Sequence, residues 1–290
     1  MAGFIKWICG SLILFWAQLP FVYAAESAPS QVATAQVGHR ALVTQVYTES
    51  GLEEMVKRFP ELLKEGVAGG MNETGQQDKN FVRELSSIID SAIDEKIMGE
   101  KIQQHLGGGL TDTQLTSVMT WLNSSIGTKV IALEKKAVTT DSVKEMEAKV
   151  VELQRKYKGS ERERQFAAFD KATEMTEASL ETAMAVQVAL AGAFASAGEG
   201  ASPLTYEQLQ EIVEANRFMT RGLIGQQVYT SFLYTYEPLS KEELQAYIDF
   251  AESDDGSRYF RVINAALRDV LIEPSREIGK NIMRVALEAK

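Results

Sequence analysis

The fold is decided by residues 110–129, LTDTQLTSVMTWLNSSIGTK, whose pattern returns without a gap at residues 239–258, LSKEELQAYIDFAESDDGSR. A constant offset of 129 residues separates the two copies. The identical pairs are Leu110/Leu239, Leu115/Leu244, Ser124/Ser253 and Gly127/Gly256. The like-for-like pairs are Thr111/Ser240, Gln114/Glu243, Trp121/Phe250 and Lys129/Arg258. Because the agreement runs through an aromatic, a glycine and a basic residue, we interpret it as an internal duplication.

Each copy opens with the signature of a helix N-terminus. A hydroxyl residue followed three residues later by Gln or Glu predicts a capping box, in which each residue's side chain accepts a hydrogen bond from the other's backbone amide. Flanking leucines add a hydrophobic staple. Leu204-Thr205-x-x-Gln208-Leu209 predicts a third start of the same kind. We expect Gly127 and Gly256 to end the first helix of each copy as left-handed caps.

The apolar residues after position 38 recur with the 3.6-residue period of helices, so the sequence predicts an all-α protein built from helical hairpins or a bundle. Two related helical units are expected, unit 1 over 39–140 and unit 2 over 167–290. Residues 25–38 lack periodicity and are predicted to be a flexible spacer. The predicted helices are 39–49, 51–69, 75–106, 111–124, 128–137, 141–158, 161–196, 205–235, 240–253, 257–272 and 275–288.

Residues 141–166, between the two units, are rich in alternating charge. Their apolar positions follow 3-4-3-4 spacing over about two heptads, at Val143, Met146, Val150, Leu153 and Tyr157. Such a seam is short for a dimerising coiled coil. We therefore favour a charged helical linker or hairpin that packs within its own chain.

Residues 1–24 have the three parts of a secretory signal peptide. Lys6 supplies the positive region, residues 7–16 are apolar, and Val22-Tyr23-Ala24 offers small residues at the cleavage site. We expect cleavage after Ala24 and a mature protein outside the cytoplasm; an uncleaved signal that anchors the chain in the inner membrane is the alternative. Gln18 and Pro20 interrupt the apolar run before it reaches the roughly 20 residues of a spanning helix.

The net charge limits the classes of binding partner that we expect, and the cysteine content bears on disulfides. Removal of Lys6 changes the net charge from −10 to −11, with 29 basic against 40 acidic residues. So acidic a chain is not expected to bind nucleic acid or to be drawn to anionic lipid, and no stable membrane insertion is expected after cleavage. Cys9 is the only cysteine and lies in the signal, so the mature protein is expected to have no disulfide.

No catalytic or metal-binding motif stands out. His39 and His105 lack a second ligand at metal spacing. Ser124 lacks a nucleophile elbow, and Asp254-Asp255 lacks the spacing of a calcium loop. Residues 107–109 and 198–200 are glycine-rich and are predicted to be turns between helices. We expect no cofactor and no enzymatic activity.

Residues 183–197 are apolar on nearly every face, which is typical of a central core helix. We also consider a groove between helices that binds an apolar ligand, either a lipid or a peptide. Its expected lining is Met184, Val188, Tyr229 and Phe232. A non-catalytic interaction or structural module that binds an unknown protein partner is the leading expectation, and a carrier of such a ligand is the alternative.

The pattern L-[T/S]-x-x-[Q/E]-L, followed by an aromatic, Ser, Gly and a basic residue, resembles the secreted bacterial domain-of-unknown-function family 2059. Residues 239–262 are similar to that family's segment, and residues 110–133 resemble a second copy. The first copy departs from the pattern at Trp121 and at Ser125-Ile126. The resemblance implies an exported, all-helical protein of a Gram-negative periplasm, and it implies no catalytic residues because the family's motifs are structural.

Signal cleavage predicts the mass of the mature protein. Native mass spectrometry of protein isolated gently from its host should show a chain of residues 25–290. A mass that retains residues 1–24 would contradict cleavage and support the anchored alternative. Bound lipid or peptide released on denaturation would support the carrier.

Overall fold

The computed structural model describes residues 31–73, 79–197 and 206–288, which form thirteen helices and no strand. The all-α prediction is confirmed. The helices are α1 Gln31–Glu49, α2 Leu52–Glu73, α3 Lys79–Ala92, α4 Glu95–Gly109, α5 Asp112–Leu122, α6 Ser125–Ala137, α7 Thr140–Tyr157, α8 Glu161–Thr173, α9 Met175–Ala197, α10 Tyr206–Glu214, α11 Arg217–Thr235, α12 Lys241–Glu252 and α13 Asp254–Glu288. Among these described helices, none is long and apolar enough to cross a membrane.

Both predicted capping boxes are present at the starts of α5 and α12. The Gln114 amide donates to Thr111 Oγ1 at 3.3 Å, and the Thr111 amide donates to Gln114 Oε1 at 3.1 Å. Ser240 and Glu243 make the same pair at 3.1 and 2.8 Å. The leucines on either side of both boxes are buried. The third predicted box includes Thr205, which lies outside the described residues.

The prediction that Gly127 and Gly256 are left-handed C-caps is wrong. Each lies in the first turn of the hairpin's second helix, and its amide donates to the N-cap hydroxyl, Ser124 Oγ at 3.0 Å or Ser253 Oγ at 3.1 Å. Glycine is required here by close approach. A Cβ would lie 2.0 Å from the Trp121 carbonyl oxygen at Gly127, and 1.9 Å from the Phe250 carbonyl oxygen at Gly256.

The two hairpins, α5–α6 and α12–α13, face each other. Trp121 stacks on Phe250, its counterpart in the repeat, with ring centroids 4.3 Å apart and an interplanar angle of 11°. The basic residues that correspond in the two copies also make contacts between the hairpins. Lys129 contacts Glu243 at 2.7 Å, and Arg258 Nε donates to the Gly109 carbonyl at 2.9 Å. Each hairpin's basic residue therefore reaches the start of the other hairpin's first helix.

Helix α13 is the centre of the packing, because α3, α4, α5, α8, α9 and α12 all contact it. The most extensive contact is with α9, the apolar helix expected in the core. Residues of both hairpins belong to one hydrophobic cluster. In the predicted linker, α7 packs on α11 within the chain, with Leu153 buried and Lys156 2.6 Å from Glu237.

Several predicted helix boundaries are wrong. The segment expected as one helix over 75–106 is broken because Asp94 caps α4, accepting from the Ile97 amide at 3.0 Å. The segment expected over 161–196 is broken at Glu174, which is left-handed with φ 54°. The segment expected over 205–235 is interrupted at residues 215–216. Conversely, α13 continues through Pro274, and residues 107–109 are helical rather than a turn.

The glycine contacts predict that an alanine substitution destabilises the protein at one glycine and stabilises it at another. Gly256→Ala should lower the free energy of unfolding by about 1–3 kcal/mol despite alanine's better helix propensity, because the methyl group overlaps a backbone carbonyl. Gly222→Ala is the matched control, since no atom lies within 4 Å of its added Cβ and alanine should stabilise α11 by up to about 1 kcal/mol. Urea unfolding measures both. Equal effects of the two changes would contradict the contact.

Candidate interaction surface

The residues of the predicted groove lie in two parts of the interior. Met184 and Val188 are buried in a small hydrophobic cluster that α9 forms with α10 and α11. Phe232 is buried in the main core, 5.3 Å from Phe166 between ring centroids. Tyr229 is half-buried and packs 4.8 Å from the same ring. Three of the four are thus packed core side chains, and Tyr229 alone among them borders an open pocket.

The pocket beside Tyr229 has a volume of about 610 Å³. The Tyr229 hydroxyl and Thr176 Oγ1 are buried there without a hydrogen-bond partner, and burial raises the pKa of Tyr229. Charged side chains of both signs, including Lys158 and Asp170, also line the pocket. Its chemistry therefore differs from that of the apolar groove expected from the sequence.

An apolar cavity lies where α2, α4, α9 and α13 meet. Methionine and other apolar side chains line most of it, among them Met55, Phe59, Met98 and Leu267. Its volume is about 60 Å³. One water needs roughly 10–15 Å³ of such volume, so the cavity has room for a handful of atoms and not for a lipid chain.

The corner between α10 and α11 carries an exposed apolar surface. Phe218 is 93% exposed, Met219 56%, Ile212 53% and Leu223 45%; these four residues are called the corner surface below. Phe218, Met219 and Leu223 lie within two turns at the start of α11. Single exposed apolar residues are ordinary, but a cluster on one corner is typical of an interaction site.

The corner surface rests on a packed and ion-paired base. On the inner side of α11, Ile224 and Val228 are buried in the small cluster with α9 and α10. Arg217 Nη2 donates to Glu177 Oε1 at 2.5 Å and also contacts Glu181, both on α9. These hydrogen bonds raise the pKa of Arg217, which is charged at any physiological pH. Phe218 therefore lies on a helix whose inner side is packed and ion-paired against α9.

Arg221 adds to the same base, with its Nε 3.1 Å from Glu177 Oε2. At the corner itself, Asn216 Nδ2 donates to the Ile212 carbonyl at 3.1 Å, and the Thr220 amide donates to the Asn216 carbonyl at 3.0 Å. The turn between the helices is therefore closed by its own hydrogen bonds. This surface is not among the features predicted from the sequence, where its signal is the pair Phe218-Met219 beside Arg217.

The residues considered for chemistry have local or pairwise contacts. His39 hydrogen bonds to Asp112 and, at 2.9 Å, to the Gly107 carbonyl; the bond to Asp112 raises the pKa of His39. His105 lies 3.1 Å from Asp269. Asp254-Asp255 opens α13. Within the described ranges, no group of three His, Cys, Asp or Glu side chains is arranged to hold a metal ion.

Glu134 is a buried acid in the middle of the core, with 1% of its surface exposed. Its Oε1 accepts hydrogen bonds from Tyr236 at 2.6 Å and Tyr247 at 3.0 Å, while Oε2 has no partner. Burial raises the pKa of Glu134 to about 7, and the two hydroxyls oppose that shift in part. Burial also raises the pKa of both tyrosines. The geometry makes Glu134 an internal hydrogen-bond acceptor.

No protein-family model matches this chain, and neither a curated protein nor a solved structure gives a match. The resemblance to the domain-of-unknown-function family 2059 therefore stays a prediction. What the structure defines is a class of protein: an all-helical bundle with an enclosed acidic residue and an exposed apolar corner.

Glu134 predicts a pH-dependent stability. Between its ordinary pKa of 4.5 and about 7, the folded protein holds a proton that the unfolded chain releases, so stability should fall as pH rises across this window. The full loss is about 3 kcal/mol, and Glu134→Gln should remove it. Urea unfolding at several pH values measures this. Glu147→Gln, at an exposed site on α7, controls for loss of a carboxylate; identical pH profiles for wild type and Glu134→Gln would contradict the assignment.

Proposed function

We propose that this protein is a non-catalytic, exported interaction module that docks a protein partner on the corner surface. The observation that carries the proposal is the 93% exposure of Phe218 beside three further exposed apolar side chains. Leaving such side chains in water has a cost, since burial of a Phe or Leu contributes about 1.5–3 kcal/mol. A partner that covers them recovers that free energy, and aromatic anchors of this kind dominate many interfaces.

The charges around the corner surface indicate the partner's chemistry. Helix α10 carries Glu207, Glu211 and Glu214 and no basic residue. The two arginines at the start of α11 are engaged by carboxylates of the same region. A partner that presents an apolar pocket for Phe218 with a basic rim fits both features, because complementary charge favours association. An anionic membrane surface fits the acidic helix less well.

Export to the periplasm belongs to the same proposal. Its support is in the sequence alone: Lys6, the apolar run over 7–16 and the small residues ending at Ala24. We further propose that the two hairpins arose by duplication, as two copies of the segment that resembles family 2059. The matched caps, the two glycines in equivalent first turns and the stacking of Trp121 on Phe250 support that origin.

Site-specific photo-crosslinking in the native host tests the docking surface. A photoreactive residue at position 218 should capture one defined partner, and the same residue at position 151 should not. Val151 is the matched control because it is an exposed apolar residue, 66% exposed, on a different helix, α7. The purified partner should then bind the wild type at least tenfold more tightly than Phe218→Ser, a loss of about 1.4 kcal/mol or more.

Three results would contradict the proposal. Equal capture at positions 218 and 151 would show that the corner surface binds the partner no better than another exposed apolar residue does. Binding to lipid vesicles that is lost in Phe218→Ser would make the surface a membrane contact. Self-association of the purified protein that is lost in the same variant would make it a contact between two copies.

A further inference from the structure

A groove lined by basic side chains lies between α4 and α13. Its charge distinguishes it from the apolar corner surface. It has a volume of about 500 Å³ and opens to solvent. Its charged lining consists of Lys101 and His105 from α4 with Arg258, Arg261 and Asp269 from α13. From the described residues, the groove therefore gathers three permanent positive charges and one carboxylate in a protein whose net charge is −10.

Among the described residues, two cations of this groove, Lys101 and Arg261, have no carboxylate partner. Other basic side chains of α13, such as Arg276 and Lys280, each contact a carboxylate of their own helix. In the part of the chain that the structure describes, neither Lys101 nor Arg261 makes an ion pair. Their charges are therefore available to an anion that enters the groove.

The remaining charged groups leave the groove positive. Arg258 donates its Nε to the Gly109 carbonyl at 2.9 Å, which fixes the side chain through a neutral acceptor and keeps its charge uncompensated. Asp269, the one carboxylate among the described residues of the lining, lies 3.1 Å from His105 Nε2 and is engaged there. An anion entering the groove thus meets three cations and a carboxylate that already has a hydrogen-bond partner.

Small residues make the space between the helices. At Gly109, a Cβ would lie 2.5 Å from Val262 Cγ2, so glycine allows α4 and α13 to approach closely at this end. At Gly108, no atom lies within 4 Å of an added Cβ, and this glycine opens directly onto the groove. Ala265 is a further small residue that lines the groove. The long cationic side chains therefore surround a shallow depression that backbone and small side chains form.

We propose that this groove binds a phosphate group, either as a free phosphate compound or as part of a larger molecule. Two guanidinium groups one helical turn apart, on Arg258 and Arg261, offer planar donor forks that match phosphate oxygens, and Lys101 adds a point charge from the facing helix. A dianion compensates more of the groove's charge than a single carboxylate does. This site is separate from the corner surface and does not depend on the proposed function.

Isothermal titration calorimetry with pyrophosphate and with inorganic phosphate at low salt tests the site. The wild type should bind pyrophosphate, and Arg261→Gln and Lys101→Gln should each weaken binding about tenfold, since each removes a charge-assisted hydrogen bond. Added salt should weaken binding as well, because the groove is open to solvent. Both side chains lie on the groove rim without an ion pair, so circular dichroism should show unchanged folding.

Arg276→Gln is the matched control, because it removes an arginine of the same helix α13 at a site outside the groove. Vesicles of phosphatidylcholine, with and without phosphatidylglycerol, distinguish the source of the phosphate. Binding only to the anionic vesicles, lost in Arg261→Gln, would assign the group to a lipid headgroup and support the phosphate chemistry. Three results would overturn the proposal. They are no binding of pyrophosphate, inorganic phosphate or anionic vesicles; a loss of affinity in Arg276→Gln equal to that in Arg261→Gln; and citrate binding as tight as pyrophosphate binding.

Discussion

The tight joint of each helical hairpin determines how the rest of the bundle assembles. At Gly127 and Gly256 the second arm lies so close to a carbonyl in the last turn of the first arm that no side chain fits between them. The two joints bring Trp121 and Phe250 into parallel contact, and Tyr247 stacks on Trp121 at 5.0 Å between centroids. A wider joint would separate these rings, and the aromatic core built around them would lose its centre.

Much of the fold follows from short-range signals in the sequence. The capping boxes could be predicted because both partners lie within four residues of each other, and burial followed the helical period. The glycine joints were misinterpreted because glycine also favours the left-handed cap, and only the position of a carbonyl six residues earlier distinguishes the two. Asp94 is a local cap signal inside a segment that the sequence predicted to be one helix, whereas α13 continues through Pro274 with Val270 and Ile278 buried on either side of it.

The surfaces depend on tertiary contacts, which explains why the sequence pattern did not identify them. Phe218 and Phe232 lie on the same helix, α11, and hydrophobicity alone does not separate them; neighbouring helices cover only the second. Likewise, Lys101 and Arg261 are far apart in the sequence and meet because α4 crosses α13. Composition could not show where apolar or basic groups would be left uncovered.

The stack of Trp121 on Phe250 also has a spectroscopic consequence. The chain contains three tryptophans, and two of them, Trp7 and Trp16, lie in the predicted signal peptide. In a chain that begins at Ala25, Trp121 is therefore the sole indole, and it sits where the two hairpins meet. The ultraviolet emission of such a protein reports a single position, so separation of the hairpins can be followed directly without any introduced label.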